Sequence, residues 1–257
     1  MTIKSIKTGW TGISANAGNN LLPATGYSLW LDAADTSTIS VSTNAVTQWT
    51  DKSSNAYAFT QGTAANRPSS GTRTLNGRNV IDFDGSNDFL ASTATASTWN
   101  FLHNTSGSTW FAVIVPDSTA ATQVVFETNG GFGDQNGVWY LITTGANHNW
   151  RVTSSASVAD LTDSVTTGSG VLYTIKSDLG NATASNRMKY YKNSGAATGT
   201  NTATGTASSG NAYETMKISY STLAFDGALA EILFYPSLLS DVDRERTRDY
   251  LVTKWGL

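Results

Sequence analysis

The chain contains no cysteine. Disulfide staples, thiol nucleophiles and thiolate metal sites are therefore excluded, while the redox compartment stays undetermined. Charge is scarce as well: Asp, Glu, Lys and Arg make up 14% of residues, and the net charge is −3. The basic residues are scattered apart from one C-terminal group, which argues against a nucleic-acid stripe or a polybasic membrane patch. No apolar run reaches the ~18 residues that a membrane-spanning helix needs. The opening MTIKSIKTGW has two lysines but no apolar stretch of about 7–15 residues. No secretory signal is recognised there, and synthesis without classical export is the expectation.

What remains is apolar, aromatic and rich in Gly, Ser, Thr and Asn. A chain of 257 residues can bury roughly 70–75% of its unfolded surface, so it needs no metal or disulfide to hold a core. Short runs of alternating or continuous apolar residues recur through it: Tyr27–Leu31, Val46–Asp51, Ala56–Gln61, Asn79–Phe83, Ser108–Val115, Gln123–Glu127, Gly137–Thr143, Asn149–Thr153, Val171–Ser177, Arg187–Lys192 and Tyr213–Tyr220. Strands at this spacing, joined by small polar loops, predict an antiparallel all-β sandwich. Gly195–Asn211 is low-complexity Ala, Thr, Gly and Ser and reads as a flexible loop. Residues 1–26 bury too little to order themselves alone, and are expected to form an N-terminal docking arm ahead of one domain over 27–257.

The last stretch is the most informative. Ala228–Tyr235 is apolar except for Glu231, which fits a strand covered on most of both faces. Pro236 cannot donate to a ladder and stops it. Ser240 is placed as a helix N-cap, with Asp241 and Asp243 in the first turn near the positive end of the dipole. Gly256 ends the helix. Arg244, Glu245, Arg246, Arg248 and Asp249 are read as solvent-facing, and Val242, Tyr250, Leu251 and Trp255 as the covering face.

Phe225–Tyr235 (FDGALAEILFY), followed by Leu239-Ser240 and Lys254-Trp255-Gly256, resembles the C-terminus of concanavalin A-like (laminin-G-like) jelly-roll domains in bacterial and phage proteins. Four upstream segments resemble the same family: Leu29–Asp35 (LWLDAAD), the Trp49, Asp51, Ser53, Asn55 series, Asn66-Arg67-Pro68, and Asn76–Leu90 (NGRNVIDFDGSNDFL). Ser54 stands where the family has glycine. The resemblance covers Tyr27–Leu90 and Phe225–Leu257 by motif. It implies a jelly-roll sandwich of two antiparallel sheets with a short C-terminal helix.

Glycoside hydrolases of this fold carry paired carboxylates on one strand face, spaced E-x-D-x-E or E-x-D-x-x-E. Residues at i and i+2 share a face, so the chemistry requires such spacing. The glutamates here are Glu127, Glu214, Glu231 and Glu245, and none begins that pattern. Glu231 is read as a structural acid. Asp82 and Asp84 are assigned to the family's turn, and His103 and His148 to Asn-rich loops. No catalytic residue and no cofactor is expected. Calcium at Asp82, Asp84, Asn87 and Asp88 is the alternative, weakened because that ion wants six to eight oxygens and these residues commonly form turns.

The remaining candidate is a ligand site. Gly130–Gly137 is a polar loop beside Trp139, Tyr140 and Trp150. Asp134, Asn136, Trp139 and Trp150 are the candidate sugar-binding residues; Trp30, Trp49, Trp110 and Trp255 are assigned to packing. The reading is a non-catalytic phage virion component (decoration, fibre or tail adhesion protein), with other virion proteins as partners through the arm and a host-surface glycan as ligand. A homo-oligomer is compatible with it; nucleic acid and membrane insertion are not expected. A bacterial cell-surface carbohydrate-binding module is the alternative, and a glycoside hydrolase is disfavoured.

Overall fold

The computed structural model describes residues 23–130, 135–154, 157–193, 200–201 and 207–257. Residues 1–22 of the expected arm and Asp134 lie outside them. The first strands are β1 (Leu29–Asp32), β2 (Ile39–Ser42), β3 (Ala45–Thr50), β4 (Ala58–Thr60), β5 (Ser69–Leu75), β6 (Arg78–Asp84) and β7 (Leu90–Ser92). Then come β8 (Ser108–Pro116), β9 (Gln123–Glu127), β10 (Gly137–Thr143), β11 (Asn147–Ser154) and β12 (Ser157–Ser164). The last are β13 (Val171–Ser177), β14 (Met188–Lys192), β15 (Thr200–Asn201), β16 (Lys217–Ile218), β17 (Asp226–Tyr235) and the helix α1 (Asp241–Trp255).

Every ladder among these strands is antiparallel, and the pairings sort them into two sheets. The back sheet holds β5, β6, β1, β17, β8, β13 and β14. The front sheet runs β2-β3-β4-β7-β16-β9-β10-β11-β12-β15. Ala45 opposite Ser69 is the one residue pair joining them among the described strands. The core lies between the sheets. Trp110 from the back sheet packs 4.6 Å from Trp150 and 5.3 Å from Tyr140 of the front sheet, and Phe234 lies 5.2 Å from Phe126. The molecule is thus an all-β sandwich with one C-terminal helix.

α1 covers the outer face of the back sheet, where Phe111, Val113, Leu233 and Tyr235 meet Tyr250, Leu251 and Trp255. β17 is therefore buried on both faces, which explains its near-continuous apolar run. Ser240 accepts the Asp243 amide at 3.1 Å, and Gly256 closes the helix in the left-handed region at φ 69°. The covering face differs from expectation. Val242 is 76% exposed, whereas Arg244 is buried with its guanidinium 4.0 Å above the Tyr191 ring. A planar cation over an aromatic face can be buried where a lysine could not.

The β17–β8 ladder slips between Leu229 and Glu231. Leu229, Ile232 and Phe234 point into the sandwich, while Ala230, Leu233 and Tyr235 face the helix. This bulge re-aims Glu231 toward α1. There it accepts Trp30 Nε1 at 2.7 Å, Tyr250 hydroxyl at 2.8 Å, Lys254 Nζ at 2.8 Å and Trp255 Nε1 at 2.7 Å. Asp32, its cross-strand partner, shares Lys254 at 2.6 Å and holds Lys52 at 2.9 Å. Burial first, then the Asp32 charge, raises the Glu231 pKa, against the opposing pull of Lys254.

The beginning of the domain is tied to the same place. Ala24 is buried; its amide donates to Thr247 Oγ1 at 3.0 Å and its carbonyl accepts Tyr235 hydroxyl at 2.8 Å. Pro23 and Ala24, at the end of the expected arm, are therefore packed on the domain.

Three other expectations need correction. The Tyr213–Tyr220 strand shrinks to β16, because the Tyr213 and Glu214 amides bond to Asn136 and Thr128 carbonyls instead of a ladder. β2, β5 and β12 were not expected; their Ser, Thr and Gly content hides them. The Gly195–Asn211 loop contributes β15, paired with β12.

His103 lies in a turn as expected but is fully buried, whereas His148 is buried on a strand rather than in a loop. His148 sits on β11 inside the sandwich, stacked 4.1 Å from Tyr173, and burial pushes its pKa down to about 3. Unfolding therefore takes up a proton. Its contribution is fully present above pH ~6.5 and is lost as pH falls toward the folded value, at up to ~1.4 kcal/mol per pH unit. Urea midpoints should fall between pH 7 and pH 5, and His148→Phe should flatten that fall; an equal slope in the variant would contradict the assignment.

Candidate functional site

On the outer face of the front sheet, Lys217 of β16, Glu127 of β9 and Trp139 of β10 are successive cross-strand neighbours. Glu127 is buried, and its Oε2 accepts the Asn129 and Gly130 amides, each at 2.6 Å. These bonds fix the turn leaving β9. Burial raises the Glu127 pKa, opposed by the Gly130 amide and by Lys217, whose Nζ lies 3.7 Å from Oε1.

The turn places Gly130 at φ 76°, a conformation suited to glycine. Its surroundings demand glycine twice over. A Cβ there would lie 2.5 Å from Tyr213 Cδ1 and 2.8 Å from Glu214 Cδ. The Tyr220 hydroxyl also donates to the Gly130 carbonyl at 3.1 Å. Three side chains thus converge on one glycine. Lys217 pairs with Glu214 and stands 5.0 Å from the Tyr220 ring centroid. Asn136 borders the group: its carbonyl accepts the Tyr213 amide at 2.9 Å, and its Oδ1 is buried without a partner.

Tyr213 is 56% exposed, the most exposed aromatic side chain among the described residues. The patch therefore offers an aromatic face rimmed by an amide, a carboxylate and an ammonium. Such a set can stack on an apolar ring face and exchange hydrogen bonds with its polar edge.

The segment carrying Tyr213 is held from behind. Asn100 donates to Asn211 Oδ1 and accepts the Ala212 amide, both at 2.9 Å, and His103 Nε2 meets the Gly210 carbonyl at 2.9 Å.

Of the expected ligand residues, Asn136 belongs to this patch. Trp139 does not present its ring: it is 3% exposed, packed with Val124 and Leu141 beneath Tyr220 and Leu223. Trp150 is a correction. It pairs with Tyr140 across β10 and β11, so both face inward, and its ring sits in the core against Trp110. Tyr213, Glu214, Lys217 and Tyr220 were missed. Their signal was an exposed-type Tyr-Glu-x-x-Lys-x-x-Tyr spacing concealed inside an apparent strand. At the other rim, Asp84 accepts the Ser86 amide at 2.8 Å and Asp88 accepts the Asp84 amide at 3.1 Å. Among the described residues no group of three or more His, Asp or Glu could hold a metal ion.

Gly130→Ala should lose more stability than Gly168→Ala. Both positions have φ near 75°, but nothing lies within 4 Å of a Cβ at Gly168. The control reads the left-handed backbone cost alone, roughly 1–2 kcal/mol. Equal losses in urea denaturation would show that Tyr213 and Glu214 do not pack as described.

No family model matches the sequence, and no curated protein matches it. Solved structures share the fold. Trypanosoma rangeli sialidase in complex with sialic acid superposes with a TM-score of 0.57 at 13% identity, over 90% of this chain and 34% of the sialidase. The botulinum neurotoxin serotype D binding domain gives 0.55 at 13% identity, over 90% of this chain and 54% of that domain. A botulinum neurotoxin type C structure, titled for cell entry dependent on two ganglioside molecules, gives 0.52 at 9% identity, over 88% and 51%. The chain spans between a third and about half of these proteins.

Proposed function

We propose that this domain is a non-catalytic glycan-recognition module of a phage virion, acting as a decoration, fibre or tail adhesion component, and that the patch around Gly130 holds the sugar. The observation that carries the reading is the convergence of Tyr213, Glu214 and Tyr220 on Gly130, beside Lys217 and Asn136. The shared fold with a sialidase and with ganglioside-dependent toxins supports it, as do the motifs at both ends of the chain that resemble concanavalin A-like (laminin-G-like) jelly rolls. A non-catalytic role suits Glu127, whose Oε2 is engaged by two amides and whose side chain is closed to solvent.

Residues 1–22 are the docking arm in this reading, since the chain is anchored to its own domain from Ala24. Deleting 1–22 should leave the domain folded and abolish incorporation into particles. Assembly of the truncated protein at wild-type stoichiometry would remove the arm from the proposal. A glycan array with wild-type protein tests the recognition role, and binding to no glycan would overturn it.

A further inference from the structure

We infer that the Gly130 patch selects uncharged saccharides and discriminates against carboxylated ones. The inference rests on the carbohydrate reading above and goes further by fixing the ligand's charge. The reason is the state of Lys217. Its ammonium is the cation at the patch, and it is already engaged by Glu214 and lies 3.7 Å from Glu127. Two carboxylates thus face one ammonium. With Glu127 ionised the cluster carries an excess negative charge. With Glu127 protonated, as its burial favours, the cluster is neutral. In neither state is there positive charge to spare for an anionic sugar.

The next cation along the row does not change this. Arg151 follows Glu127 and Trp139 in register, three strands from Lys217, which is about 14 Å at ordinary strand spacing. A carboxylated sugar stacked on Tyr213 would have to take Lys217 from Glu214 and leave that carboxylate facing it. Like charges brought together in this way oppose binding. A neutral sugar leaves the ion pair intact. It can use Glu214 as an acceptor and Lys217 as a donor.

The test uses matched pairs of neutral oligosaccharides and their terminally sialylated forms, immobilised at equal density, with the full chain as probe. Wild-type protein should bind the neutral member at least tenfold more tightly. Raising NaCl from 50 to 500 mM should leave that binding within twofold, because no net charge is neutralised. With Glu127 protonated, Glu214→Gln frees Lys217 and should narrow the neutral-over-sialylated ratio by about tenfold or more. A thermal melt confirms that the variant is folded, and Glu214→Ala serves if the glutamine retains the lysine.

Preference of the wild type for the sialylated member would overturn the inference while leaving the carbohydrate reading in place. A ratio unchanged in both Glu214 variants would remove the ion pair as its cause. Binding to neither member would overturn the carbohydrate reading itself.

Discussion

Glu231→Ala should cost the domain about 3–5 kcal/mol, the scale seen when one partner of a buried ionic network is removed. The carboxylate accepts from Trp30, Tyr250, Lys254 and Trp255 at once. Alanine would leave two indole N–H groups and a hydroxyl without an acceptor in a closed space. It would also leave Lys254 with Asp32 as its remaining acid partner. The damage falls on the closure of the whole domain, because these groups come from β1, β17 and α1. Glu231→Gln keeps the volume and one acceptor oxygen, so its loss should be smaller but still exceed 1 kcal/mol. Urea denaturation reads both. A loss below 1 kcal/mol for alanine would mean that helix and sheet are held by apolar contact alone.

Trp150→Ala should be comparably severe, about 3–5 kcal/mol, the usual range for truncating a buried aromatic. Its ring contacts Trp110 at 4.6 Å and Phe126 at 5.7 Å between centroids. These residues join front and back sheets, so the cavity would open in the middle of the sandwich. Tyr213→Ala, at a half-exposed surface position, should change stability by no more than about 0.5 kcal/mol. The pair separates a packing tryptophan from the tyrosine proposed to meet the sugar. A stable, well-folded Trp150→Ala protein would return that residue to the list of ligand candidates.

The contrast between these residues shows what could be read in advance. β17, its proline stop and the capped helix were legible because each is written locally: an apolar run, a residue without an amide hydrogen, Ser240, Gly256. The role of Glu231 was half legible. Its isolation among carboxylates marked it as structural, but the bulge that turns it toward the helix depends on pairing with β8. Trp139 and Trp150 looked alike in sequence because burial on a strand depends on register, and two adjacent strands set theirs jointly. Arg244 was assigned to solvent because nothing local announces Tyr191 beneath it. His148 was hidden the same way, since Asn-rich neighbours suggest a loop while its strand and its packing come from distant partners. The Tyr213 patch was least legible. Its aromatic spacing imitates a strand, and what prevents one is the demand of Thr128 and Asn136 for its amides.

The most direct test is calorimetric titration of the tightest neutral glycan into wild type and Tyr213→Ala at equal protein concentration. A sugar stacked on the exposed tyrosine predicts at least a tenfold rise in Kd, about 1.4 kcal/mol, with the thermal midpoint shifted by no more than about 2 °C. An unchanged Kd in a folded Tyr213→Ala protein would contradict recognition at this patch.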